Sequence, residues 1–430
     1  MPLHPKAPAE VPSAPERCTP EEAIVRVAAL PEFRQACDWF LSAEPRLRQW
    51  QVDMARIPAP PFGEAARSAW LAEQFRQLGR DDVHIDEVGN VLAVHPGQSG
   101  PYVALSAHID TVFPPDSPLD IRQEGNRLLG PGVSDNGAGV TAMLAIADAF
   151  QATSIQPAQP LLFIGNVGEE GEGDLRGMRH IFAQPRWLDS IAYNVILDGA
   201  GTDVIVAEAL GSRRFEVTVR GPGGHSWSDY GIPNPIVILA RAIEAFSRAS
   251  IPTNPKTSSN VGVIRGGTSV NSIPETASMR VDIRSASTRE INRLEQSLRT
   301  ALEKSMEEET LEFERESRSA AQPSVLSVDV VKIGDRPSGD LPADARILRV
   351  VRAVDRYLNN PAHVQRASTD ANIPLSLGRE ALAIGGGGRG GGAHTLQEWF
   401  DCTGRELGLQ RILLIVLALT GCRNDDQHVS

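Results

Sequence analysis

The sequence predicts an α/β protein: a domain built on a mostly parallel central sheet, interrupted by a smaller α+β module. Three observations lead there. The apolar runs YVALSA (102–107), PLLFIG (160–165) and NVIL (194–197) are uninterrupted and bounded by polar or Gly/Pro residues, the pattern of strands buried on both faces. Stretches of helical periodicity separate them, and strands alternating with helices imply a parallel sheet. From about residue 211 the style changes, because RRFEVTVRG alternates apolar with polar residues as a strand with one solvated face does.

Length and composition set the frame. At 430 residues the chain exceeds one ordinary core, so two domains are expected. An apolar content of 41% with 22% charged residues is that of a globular chain rather than a disordered one. The net charge of −12 argues against nucleic acid or an anionic membrane as partner. Cys18, Cys37, Cys402 and Cys422 are scattered without Cys-x-x-Cys, which disfavours a disulfide framework or a thiolate zinc site and fits a reducing, cytoplasmic compartment. Residues 1–19 are rich in Pro and Ala and have no apolar signal core, so a disordered leader is expected. The most apolar run, 412–419, is far short of the roughly 20 residues that span a bilayer and reads as a buried C-terminal helix.

The elements follow in order. Residues 20–56 are helical in pattern and end at IPAPPFGE; a second helix covers 65–78 and leads to a strand pair around 83–94, turned at Gly89-Asn90. Next come the strand from 102, a helix after Asp135, and strands over 160–166 and 194–197. The inserted module reads as strand 213–220, helix 235–248, strands 258–265 and 276–283, helix 288–304 and strand 325–333. That β-α-β-β-α-β order is ferredoxin-like. After it the first style returns with a helix over 345–358, a strand over 381–384, a Gly-rich loop and two closing helices. The expected domains are therefore 20–211 and 337–430 forming one discontinuous catalytic domain, with 212–336 as a lid.

Chemistry collects where the core strands end. YVALSA runs into His108-Ile-Asp110, and Asp135 follows in SDNGAG; Glu169 and Glu170 follow LLFIGNVG, Asp198 follows NVIL, and His394 follows the Gly-rich loop. Strand alternation puts His108 and Asp110 on one side, so Asp110 is placed to accept the second N–H of a ligating imidazole. Any one of these residues alone reads as a structural histidine or a solvated acid. Together His108, Asp135, Glu170, Asp198 and His394 are imidazoles and carboxylates that zinc accepts, and five such ligands suit two cations bridged by one carboxylate. His4, His84, His95, His180, His363 and His428 lack this context and read as structural or surface residues. Gly386, Gly388 and Gly391 formally satisfy G-x-G-x-x-G, but no βαβ unit follows. The glycines around Gly388 are instead expected to let backbone N–H groups approach a substrate terminus beside His394. There is no H-E-x-x-H and no G-x-S-x-G.

These residues carry a family resemblance. SAHIDTV, SDNGAG, EEGEG, GGHS, VNSIP and GAHTLQEW occur in that order, and over residues 20–421 the chain resembles the di-zinc peptidases and deacylases. That family includes peptidase T, carboxypeptidase G, acetylornithine deacetylase and succinyl-diaminopimelate desuccinylase; the STDAN stretch (368–372) matches the peptidase T-like branch. The resemblance implies a zinc-exopeptidase-like catalytic domain with a lid that also dimerises, and two Zn2+ per chain, with Co2+ or Mn2+ able to substitute. It implies that His108 and Asp198 bind one zinc, that Glu170 and His394 bind the other, and that Asp135 bridges through a residue joined to Asn136 by a cis peptide bond. It further implies Asp110 orienting His108, Glu169 as general base, His225 of the GGHS motif stabilising an oxyanion, and Asn271 and Arg284 holding a substrate carboxylate. The substrate class implied is small peptides or N-acyl amino acids, by a homodimer. Asp198 favours the peptidase side, since the deacylase branch usually has Glu there. A non-catalytic dimeric binding protein on this fold would lack a ligand or the base, and none is missing.

Overall fold

The computed structural model describes residues 19–80, 82–316 and 326–421. The expected leader, apart from Thr19, and the first residue of the strand expected from 325 lie outside them, as do Cys18, Cys422, His4 and His428. The chain divides into two compact units, Met1–Ala209 with Gly339–Ser430, and Leu210–Ser338.

In the first unit a nine-stranded sheet runs in the order Val83–Ile85, Val91–His95, Leu161–Asn166, Tyr102–His108, Ile191–Leu197, Glu380–Ile384, Val204–Ala209 and Gly339–Asp340, with His363–Ala367 also on Val204–Ala209. Its four central strands, Leu161–Asn166 to Glu380–Ile384, are mutually parallel. Their residues are the apolar runs of the sequence: Val103, Leu105, Phe163, Ile164, Val195, Ile196 and Leu382 are buried. Each such side chain contributes about 1.5–3 kcal/mol relative to exposure, which holds the strand ends in fixed positions. Because the four strands point the same way, their C-terminal ends share one edge of the sheet, where ligands of open α/β folds bind.

Helices cover this sheet. The expected N-terminal helical stretch is three helices, Pro20–Ala29, Pro31–Ser42 and Glu44–Ala55, with Pro31 and Pro45 in their first turns. Gly137–Thr153 and Arg405–Thr420 are buried along nearly their whole length, so the apolar run 412–419 is a core helix. Among the described residues no helix is long and apolar enough to cross a membrane.

Two expectations need correction. Among the described residues only one helix follows the Gly-rich loop, Arg405–Thr420, because the segment before it forms the short strands Arg389–Gly391 and Trp399–Asp401. These join Arg127–Leu129 and Arg122–Glu124 in a four-stranded sheet. Strands of three residues carry no readable period, and only long-range pairing defines them. In the second unit the helix expected to stop at 304 continues as Thr288–Glu316.

The second unit has the β-α-β-β-α-β order. Its antiparallel sheet is ordered Thr257–Gly266, Thr276–Ser285, Gly211–Arg220, Ser327–Arg336. Helices Pro235–Ser247 and Thr288–Glu316 bury Ile238, Leu239, Leu294 and Leu298 with Phe215, Val217 and Ile283 of the sheet.

Candidate metal centre

Three strand ends and two loops converge in the first unit. His108 ends Tyr102–His108 and is fully buried. Its Nδ1 lies 3.2 Å from the Asp110 carbonyl oxygen and 3.5 Å from Asp110 Oδ1, which leaves Nε2 as the outward atom. Nε2 faces Asp135 Oδ1 at 3.2 Å and Asp198 Oδ1 at 3.8 Å. On the other side of Asp135, His394 Nε2 lies 3.2 Å from Asp135 Oδ2 and 2.9 Å from Glu170 Oε1. The two oxygens of Asp135 thus face different imidazoles, each of which faces one further carboxylate.

This donor set fits metal. Ligand atoms about 2.0–2.2 Å from a tetrahedral zinc stand about 3.4 Å from one another, and the four nitrogen–oxygen separations are 2.9–3.8 Å. Asp135 Oδ1 is buried without a hydrogen-bond partner, a costly state that a cation relieves. Asp135 and Asn136 are joined by a cis peptide bond.

The ionisation of the cluster follows from its crowding. Burial alone would depress His108, but the surrounding carboxylates of Asp110, Asp135 and Asp198 lift its pKa well above the usual imidazole value. The hydrogen bond to Asp135, with burial opposing, takes His394 up to about 9. Burial opposes ionisation of Asp110 and Asp135 too, yet the neighbouring imidazoles hold both below the usual carboxylate range. At Glu170 burial prevails and the pKa rises. In the absence of metal the cluster stores protons on its histidines, which metal must displace.

Backbone bonds hold the acids in place. Asp110 is completely buried, and its Oδ1 and Oδ2 accept the backbone N–H groups of Glu169 (3.0 Å) and Glu170 (2.8 Å). Asp110 therefore fixes the Glu-Glu segment as well as lying beside His108, a double task its sequence position alone does not reveal. Glu169, next to Glu170 in this bonded turn, is itself buried. Asn136 ties the Asp135 loop to the Asp198 strand: its Nδ2 donates to Leu197 O, and its Oδ1 accepts from the Gly199 and Gly139 N–H groups.

Two acids went unassigned in the sequence reading. Glu398, in the GAHTLQEW motif, is fully buried and accepts N–H groups from Gly132, Ser134 and Asp135; burial raises its pKa to about 7. Asp370, in STDAN, is also buried, accepts from Asn166 Nδ2 at 2.6 Å, and is pushed up to about 7 by burial. Asp86, Glu87 and His180 also cluster, but Asp86 is committed to its turn, accepting from Val88, Gly89 and Asn90.

In the Gly-rich loop two N–H groups are taken up within the fold. Gly386 and Gly387 donate their N–H groups to Gly199 and Gly201. At Gly388 a positive φ of 64° and a β-carbon position 2.5 Å from the Phe400 ring demand glycine. These glycines pack the loop after Glu380–Ile384 against the loop after Asp198.

The remaining expected residues lie in the second unit. His225 pairs with Ser272 across a short two-stranded ladder, and its exposed ring accepts the Trp227 and Ser228 N–H groups at Nδ1 (3.2 and 3.4 Å). A neutral ring held this way carries its proton on Nε2 and offers it as a donor. Asn271 Oδ1 accepts from Ser269 Oγ. Arg284 donates through Nε to Asp282 Oδ2 at 2.7 Å, and Asp282 also receives Arg214.

Comparison with known proteins agrees with these two units. Residues 90–212 match the model of peptidase family M28, and residues 208–310 match a peptidase dimerisation domain. A probable carboxypeptidase of Ajellomyces dermatitidis is 28% identical over 234 residues, 50% of this chain and 52% of that protein, so the chain spans about half the length of that relative. Another probable carboxypeptidase, from Neosartorya fischeri, is 28% identical over 313 residues, 64% of this chain and 69% of that protein. In structure the chain is similar to aminopeptidase PepT from Bacillus cereus, with a TM-score of 0.69 at 18% identity over 88% of this chain and 99% of the other. At that identity the likeness is one of fold.

Proposed function

We propose that the chain is a member of the peptidase and deacylase family that its motifs suggest, and that it is a di-zinc exopeptidase of small peptides. The observation that carries this reading is Asp135, whose two oxygens lie 3.2 Å from His108 Nε2 and 3.2 Å from His394 Nε2. His108 with Asp198 would hold one zinc ion, His394 with Glu170 the other, and Asp135 would bridge them. When bound, such a pair polarises a carbonyl and lowers the pKa of a water to near neutrality.

The chain's own residues supply the rest. Glu169 takes the proton of the attacking water and passes it to the leaving amine. Asp110 keeps the His108 proton on Nδ1, so Nε2 stays a lone-pair donor. His225 offers its Nε2 proton to the carbonyl oxygen as negative charge develops, working within a homodimer formed through the second unit. Arg284 and Asn271 receive a substrate carboxylate, a task suited to the two-pronged guanidinium.

The test is removal of metal by chelation, with zinc, cobalt or manganese added back, on di- and tripeptides with free and blocked termini. Activity only on a free amino terminus supports an aminopeptidase, and activity that survives full metal removal contradicts the reading. The names of the curated relatives favour a second reading, a carboxypeptidase, which the blocked-carboxyl substrates separate. An N-acyl-amino-acid deacylase would instead cleave only blocked amino termini.

A further inference from the structure

We propose that Glu398 is a positioning residue that sets the separation of Asp135 and His394. The proposal rests on the di-metal reading above. The stretch 130–136 turns tightly, and the N–H groups of Gly132, Ser134 and Asp135 face one point at its back, forming a nest of donors that calls for an anion. The Glu398 carboxylate fills it: Oε1 accepts from Ser134 and Asp135, each at 2.7 Å, and Oε2 accepts from Gly132 at 2.8 Å. On the other side of the same turn the Asp135 side chain faces the two imidazoles. Fixing the Asp135 N–H therefore fixes the direction in which its carboxylate leaves the backbone.

Glu398 holds His394 by a different route. It lies four residues beyond His394, in a turn closed by Thr395 N–H to Gly392 O and Glu398 N–H to Thr395 O. Its own carbonyl accepts Gly130 N–H at 2.8 Å, and the next residue, Trp399, pairs with Leu129. One residue thus ties the turn bearing Asp135 to the turn bearing His394, although they are more than 250 residues apart in the chain. Metal ligands need placement within about 0.5 Å, and the 3.2 Å separation of Asp135 Oδ2 from His394 Nε2 is the distance this clamp governs. A glutamine here keeps the shape but aims an N–H group at one of the three donors, so the clamp loses a bond and gains a repulsion.

The experiment titrates zinc and cobalt into metal-stripped full-length protein, comparing wild type, Glu398→Gln and Ile415→Val. The last is a core truncation that tests for loss of stability alone. The expected result is a 10–100-fold rise in the dissociation constant for Glu398→Gln and a changed cobalt absorption spectrum, with the circular dichroism of the metal-free protein unaltered and Ile415→Val binding as wild type. If Glu398→Gln fails to fold, Glu398→Asp replaces it, with the same loss expected because its carboxylate is withdrawn by one methylene. A Glu398→Gln protein that binds two metals with wild-type affinity and spectrum overturns this proposal alone. A wild-type protein that binds none overturns the di-metal reading and this proposal with it.

Discussion

The first unit and the second hold their candidate residues in opposite ways. In the first, His108, Asp110, Glu169, Glu170 and Glu398 are buried, and bonds between segments far apart in sequence fix them, such as Asp110 to Glu170 and Glu398 to Asp135. In the second, His225, Asn271 and Arg284 are exposed or half-exposed, and their side chains bond to residues only two or three positions away: Trp227 and Ser228, Ser269, and Asp282. Geometry that must be precise before substrate arrives is built from long-range buried bonds. Groups that adapt to a substrate stand on local, solvated ones.

The largest effect that can break this contrast is Glu169→Ala. Turnover should fall about 10²–10⁴-fold while metal content per chain stays at the wild-type level; loss of metal instead would exchange the roles of base and ligand. His225→Ala should lower kcat about 10²–10³-fold with little change in KM. Mixing it with Glu169→Ala should restore part of the activity if His225 acts across a dimer, and no recovery would confine it to its own chain.

Stability should divide along the same line. Asp355 accepts Nε and Nη2 of the fully buried Arg411 at 2.7 and 2.9 Å in the first unit. Asp355→Asn leaves that charge unmatched and should cost about 3–5 kcal/mol in denaturant unfolding. Asp282→Asn, at the half-exposed pair with Arg284, should cost no more than about 1 kcal/mol. Equal losses would remove the contrast.

A smaller effect concerns acid. His95 lies buried against the Phe150 ring and beside Arg80, and burial together with the Arg80 charge lowers its pKa to about 4. The folded state disfavours the imidazolium, so the stability from neutral His95 is fully present above the unfolded value near 6.5 and is lost as pH falls from there through 4. The loss should be at most about 3 kcal/mol, and His95→Gln should flatten that limb of the stability curve. An unchanged limb would assign acid sensitivity to other groups.

What was legible in the sequence follows from how each feature is encoded. The central strands announce themselves locally, since Val103–Leu105 and Leu161–Ile164 are buried on both faces and so are apolar without interruption. Of the ligand candidates, His108, Glu170 and Asp198 follow such runs directly or within a few residues, whereas Asp135 and His394 lie on loops beyond them. The Arg122–Glu124 strand could not be read: all three of its residues are exposed, and only its pairing with Arg127–Leu129 defines it. Glu398 was hidden for a related reason. Its partners are backbone N–H groups on a distant turn, and backbone groups have no residue type to recognise. The spacing of the glycines at 386–388 does not say that the Gly386 and Gly387 N–H groups are bonded to the loop after Asp198.

Metal counting on Asp135→Ala tests whether Asp135 joins two metal sites. Wild-type protein loaded with zinc and freed of excess metal should retain about two ions per chain. Asp135→Ala should lose both together, with a circular dichroism spectrum that matches metal-free wild type. A variant that keeps one tightly held ion, or a wild-type protein that keeps its activity with no metal at all, would contradict the account.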